Sequence, residues 1–104
     1  MVDTNLFMED AKSLVPKICS VLKLPDDAVE RSVIILEKCK SIDLKIGNRS
    51  KPEGYAGAAV YLSSILSCDP RTQAETAKAA GVSNTLVARL YPLISEQLDL
   101  EMIL

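Results

Sequence analysis

Between Gln73 and Leu90 the chain reads QAETAKAAGVSNTLVARL, which places two planar, two-pronged hydrogen-bonding groups, Asn84 and Arg89, on one short stretch. An asparagine amide can pair with the N6 and N7 edge of adenine and an arginine fork with O6 and N7 of guanine, each good pair adding about 1–3 kcal/mol of discrimination. Thr85 and Ala88 are expected to share their outward face, as the leading turns of a helix laid in a major groove do. Arg49, Lys51, Arg71, Lys78 and the cap at Thr72 are candidates for phosphate contacts. If about three or four of them form, affinity falls with salt at a slope of about −3 and the domain alone binds weakly. The chemistry on offer is duplex binding that needs a partner.

Other chemistries are poorly supplied. With no histidine and no tryptophan, a Ser-His-Asp relay, a Cys-His dyad and a histidine-bearing zinc site are all excluded. Cys19, Cys39 and Cys68 contain no C-x-x-C pair and read as reduced thiols in the core. Glu53, Asp69 and Glu75 have no evident second group for acid–base work and read as caps or solvated charges. Lys51 and Lys78 have no P-loop around them, since Gly54-x-x-Gly57 lacks the Walker spacing. Tyr55, Tyr61 and Tyr91 fall on helices expected to pack, so they read as core residues with hydroxyls at the rim rather than as stacking platforms. No enzyme, no metal, no cofactor and no small-molecule substrate are expected.

The chain has 104 residues, 48% apolar and 25% charged, enough for one domain over residues 1–104, with 1–11 as a flexible or extra helical lead. Such a length buries roughly two thirds of the unfolded surface, so no disulfide or metal staple is required. The longest mostly apolar run, Gly54 to Ser67, has fourteen residues, short of the roughly twenty that span a bilayer. The start, Met1-Val2-Asp3-Thr4, carries no basic leader. A cytoplasmic place is expected, or a nuclear one if the source cell has a nucleus, with no membrane contact. Net charge is −2, but its distribution is uneven: residues 1–37 carry −3, residues 38–89 carry +4 and residues 90–104 carry −3. The basic middle contains the candidate binding residues.

The elements that must position them are all helical by periodicity. A first helix is expected from about Asn5 to Lys23, striped by Leu6, Phe7, Leu14, Ile18, Val21 and Leu22, divided at Pro16 and best packed from Val15 to Leu24. A second opens at Pro25-Asp26-Asp27, with Asp27 and Glu30 at capping-box spacing, and presents Val29, Val33, Leu36 and Cys39, widened by Ile34 and Ile35, until Gly47. A third begins at Lys51-Pro52 and is apolar or small on every face from Gly54 to Ser67, which predicts a helix buried all round. Its glycines and alanines allow close helix approach. A fourth, short helix follows the capping box Thr72-Gln73-Ala74-Glu75 and stops at Gly81. A fifth, capped by Ser83, runs from Asn84 to about Leu98 with Pro92 inside. Ala77, Gly81, Val87 and Leu90 have the types and spacing of a helix-turn-helix.

The stretch RTQAETAKAAGVS, from Arg71 to Ser83, resembles the last part of the second cyclin-like repeat of transcription factor IIB and its archaeal counterpart, TFB. Val15-Pro16-Lys17 through Leu24-Pro25 is similar to the first helix of that repeat, Gly47 to Pro52 to its glycine-arginine-serine-proline link, Gly54 to Ser64 to its alanine-rich middle helix, and Leu98 to Glu101 to the archaeal C-terminus. The resemblance covers about residues 12 to 101. It implies an all-α, five-helix cyclin-like fold with a buried central helix and a C-terminal helix-turn-helix. It also implies a general initiation factor that binds double-stranded promoter DNA with TATA-binding protein in preinitiation complex assembly. RNA polymerase would be reached only through N-terminal regions that this chain lacks. Backbone contacts are implied at Thr72, Gln73 and Arg49 to Lys51, and base readout at Ser83, Thr85 and Ala88. The family's usual pattern has arginine at the place of Ala88, a branched apolar residue at that of Thr85 and no proline at that of Pro92. A second reading is a cyclin-like protein–protein adaptor without sequence-specific DNA binding.

Overall fold

The computed structural model describes residues 4–39 and 52–97, which form five helices: α1 (Thr4–Leu22), α2 (Asp26–Cys39), α3 (Pro52–Leu66), α4 (Gln73–Ala80) and α5 (Asn84–Gln97). Among the described residues there is no strand. The expected stop of the second helix at Gly47 lies outside them, as do Arg49 and Lys51.

α3 is the axis of the bundle and packs against all four other helices. Pro52, with no N–H to offer, occupies its first position. From Gly54 to Val60 every residue is buried, as the run of small side chains predicts. A Cβ on Gly54 would lie 2.8 Å from Leu86 Cδ2 and one on Gly57 would lie 3.0 Å from Ala80 Cβ. The missing side chains are therefore what lets α4 and α5 close onto α3.

α1 is one helix, not two. Pro16 leaves the Lys12 carbonyl without its helical donor, yet Ala11 and Val15 before it and Ile18 and Cys19 after it are all buried. Burial of both halves against one core outweighs the proline's cost, and the ring itself lies on the exposed side. α5 passes through Pro92 in the same way, with Val87, Leu90 and Ile94 fully buried. Residues 4–11, which lie within the segment 1–11 expected as a flexible or extra helical lead, are the first two turns of α1.

The buried face of α2 is rotated from the expected stripe. It runs through Ala28, Ser32, Ile35 and Leu36, whereas Ile34 is 50% exposed. A serine can occupy this line because Ser32 Oγ donates to the Ala28 carbonyl at 2.7 Å, the same carbonyl that accepts from Ser63 Oγ of α3 at 2.9 Å. Val21 of α1, also expected inside, is exposed. α2 starts at Asp26, with the Pro25 carbonyl accepting from the Ala28 N–H. Asp27 thus lies in the first turn rather than capping it, where its charge still complements the helix dipole. Cys19 is buried as expected, but Cys68 is exposed, because it sits in the left-handed turn that ends α3 with φ of 60°. Tyr55 is buried to its hydroxyl rather than reaching the rim. Tyr61 and Tyr91 meet edge to face, 4.8 Å between centroids, joining α3 to α5.

Candidate nucleic-acid interface

α4 and α5 form the hairpin that the spacing of Ala77, Gly81, Val87 and Leu90 predicts. Its start is a complete capping box: Thr72 Oγ1 accepts from the Glu75 N–H at 3.0 Å and a Glu75 carboxylate oxygen accepts from the Thr72 N–H at 3.0 Å. Those bonds from Thr72, with a smaller contribution from the Arg71 charge, hold the Glu75 carboxyl below the usual carboxylate range. Thr76 Oγ1 donates to the Thr72 carbonyl at 2.9 Å and adds a third tie across the turn.

The turn itself is set by Gly81, whose φ of 75° is open to glycine at no steric cost. Its N–H reaches the Lys78 carbonyl at 3.2 Å, and the Val82 N–H reaches that of Ala77 at 3.0 Å, the pair of bonds that closes a helix and redirects the chain. Ser83 then starts α5 with its Oγ accepting from the Leu86 N–H at 3.1 Å. Ala77, Val87 and Leu90 are buried where the two helices meet α3. With α4 capped at both ends, α5 capped at Ser83 and their facing side chains buried, the hairpin is a rigid platform.

On the outer side of that platform Ser83, Asn84, Thr85 and Arg89 are exposed, and Ala88 is half-buried at its edge. Asn84 and Arg89 are five residues apart, roughly 7.5 Å along a helix axis, a span of about two base steps. The arginines differ sharply in availability. Arg31 donates to Ser67 Oγ at 2.6 Å, and Arg71 donates to the Leu22 carbonyl and Asp69, while Arg89 has no hydrogen-bond or ion-pair partner among the described residues. Exposed Lys78 extends the basic surface on α4.

The structure therefore brings together Thr72, Gln73, Ser83, Asn84, Thr85, Ala88 and Arg89 on one hairpin, with Gln73 half-buried and Thr72 committed to its cap. Arg71 stands just before it with its guanidinium engaged, its side chain 21% exposed. Asp69, which reads in sequence as a cap or solvated charge, carries that ion pair at 2.6 Å; a carboxylate two residues before an arginine is its local signal. The Leu22 carbonyl has no signal in sequence, since 49 residues separate it from Arg71. Among the described residues no group of three or more cysteine, aspartate or glutamate side chains gathers as a metal site, and no helix is long and apolar enough to cross a membrane.

A buried alanine-rich helix ringed by four others, two of them a helix-turn-helix, defines the cyclin-like all-α class. The profile of the transcription factor TFIIB repeat matches residues 4–97, and the chain belongs to that family. It is 41% identical over 90 residues to a transcription initiation factor IIB of Methanosphaerula palustris, covering 86% of this chain and 26% of the relative. Against that of Caldivirga maquilingensis it is 37% identical over 97 residues, 93% of this chain and 28% of the relative. Against that of Sulfurisphaera tokodaii the values are 33% over 100 residues, 96% and 32%. The chain thus spans about a quarter to a third of the length of these relatives.

Proposed function

We propose that this domain is a non-enzymatic DNA-binding part of a general transcription initiation factor, docking on double-stranded promoter DNA beside TATA-binding protein. The observation that carries the proposal is the rigid hairpin whose outer helix turns Asn84, Thr85 and the unpartnered Arg89 to solvent. A helix so placed can enter a major groove with its leading turns against base edges. Family membership favours promoters as the setting. With Lys78 and Arg89 as the basic residues of the hairpin, the domain binds weakly by itself. Tethering next to a bound TATA-binding protein supplies an effective concentration on the order of millimolar.

The test is a mobility shift on a TATA promoter duplex with and without the matching TATA-binding protein, titrated with salt. A supershift is expected that weakens as salt rises; none at about 50 mM salt overturns the reading. Arg89→Ala is expected to cost about 1–3 kcal/mol of base discrimination. Capture of a partner that survives nuclease, with no DNA shift, points instead to the adaptor role.

A further inference from the structure

Arg71 touches three parts of the fold at once. Its Nε–H donates to the carbonyl of Leu22, the last residue of α1, at 3.1 Å. Its Nη1 donates to Asp69 Oδ1 at 2.6 Å and to the Asp69 carbonyl at 3.2 Å. Its backbone N–H donates to Ser64 Oγ on the last turns of α3 at 3.1 Å, and that hydroxyl in turn donates to the Tyr61 carbonyl at 2.7 Å. The next residue is Thr72, the cap of α4. The last carbonyls of a helix lack internal donors and carry its negative dipole end, so a guanidinium there satisfies both needs.

We propose that Arg71 is a positioning residue: it locks the segment that leads into the Thr72 cap of α4 to the ends of α1 and α3, and so sets the angle at which the hairpin presents α5, without touching DNA itself. The inference rests on the DNA-binding reading for its functional half. A phosphate contact needs only a positive charge, whereas the latch needs the arginine fork, because one group must reach a carbonyl and a carboxylate in fixed directions.

Arg71→Lys, Arg71→Ala and the milder Asp69→Asn separate the two roles. Affinity for the promoter complex is measured well below the melting temperature across a salt series. Arg71→Lys is expected to bind as poorly as Arg71→Ala, both losing roughly tenfold with the salt slope unchanged, and Asp69→Asn is expected to lose in the same direction. Wild-type affinity for Arg71→Lys, a slope reduced by about one in Arg71→Ala, or a lower melting temperature with affinity unchanged would each overturn the proposal. Amide exchange in the free protein tests the latch without DNA. The Thr76 and Leu24 amides are expected to exchange roughly tenfold faster in Arg71→Ala and measurably faster in Asp69→Asn. Unchanged exchange in the variants rejects the latch, whereas faster exchange in the variants combined with no mobility shift by the wild-type domain rejects only the DNA reading.

Discussion

Gly57 of α3 passes Ala80 of α4 so closely that a Cβ on the glycine would stand 3.0 Å from the alanine Cβ. Both atoms would be fixed to backbone, so no side-chain rotation relieves the contact. Gly57→Ala is expected to destabilise by about 1–3 kcal/mol as α4 is pushed off the central helix. Gly54→Ala meets the flexible ends of Leu86 and Leu90 instead, and its smaller strain is offset by the roughly 0.5–1 kcal/mol that alanine gains over glycine in a helix interior. Urea unfolding of both variants checks the order; equal losses would contradict it.

α1 and α3 end in the same pair of bonds as α4, but with Lys23 at φ 58° and Cys68 at φ 60° where α4 has glycine. The left-handed conformation costs a side chain about 1–2 kcal/mol, while glycine adds about 0.4–1 kcal/mol of unfolded-state freedom. Lys23→Gly and Cys68→Gly are each expected to stabilise by about 0.5–1 kcal/mol, read as a higher thermal midpoint. A drop in either would show that the native side chain has a compensating role.

Burial pushes the Cys19 thiol up to about 11 from its ordinary 9.0. An acid whose pKa is raised by folding keeps its proton in the native state while the unfolded chain ionises, so stability is whole below about pH 9 and declines between there and pH 11. A thiol reagent at neutral pH is expected to modify exposed Cys68 quickly and Cys19 only on unfolding. Equal rates would mean that the α1 face opens locally.

The capping box has the opposite pH sign. Glu75 is held below its ordinary value by Thr72, so its contribution is present above the unfolded-state pKa and is lost as pH falls through the folded one. Thr72→Ala is expected to cost about 0.5–2 kcal/mol at neutral pH, with most of it recovered in Thr72→Ser. The Thr72 N–H that mainly holds the carboxylate survives Thr72→Ala, so the acid dependence is read in Glu75→Gln: its difference from wild type is expected to shrink in acid, and a constant gap would separate the Glu75 charge from the cap.

Local features of the candidate site were legible because their partners sit within one helical turn. The Thr72–Glu75 box and the Gly81 turn depend on neighbours three to five residues away, and Gly54 to Ser64 is small or apolar on every side, so no choice of face was needed. Where a face had to be chosen, periodicity placed Ile18, Ile35 and Leu36 inside correctly but misplaced the edges of the stripe. Ile34 and Val21 were expected inside and are exposed, while Ser32 is buried, because its hydroxyl finds the Ala28 carbonyl and hydropathy does not register that bond. Pro16 reads as a division of the first helix, yet residues on both sides of it are buried in one core and carry the helix through; Pro92 lies inside α5, as its expected span has it. Arg71 reads in sequence as a candidate phosphate contact among the basic residues; its tie to Leu22 is invisible until the end of α1 and the start of α4 are brought together.

The order of types along the chain was enough to determine five helices, the central one among them, and a hairpin ending in an outward helix, since propensity, capping and burial of small residues act over a few residues at a time. Which cation is free to meet a ligand was decided only by the tertiary structure. Arg71 and Arg89 carry the same group, and the difference between a latch and an available fork is whether packing brings an orphan carbonyl and a carboxylate within hydrogen-bond reach.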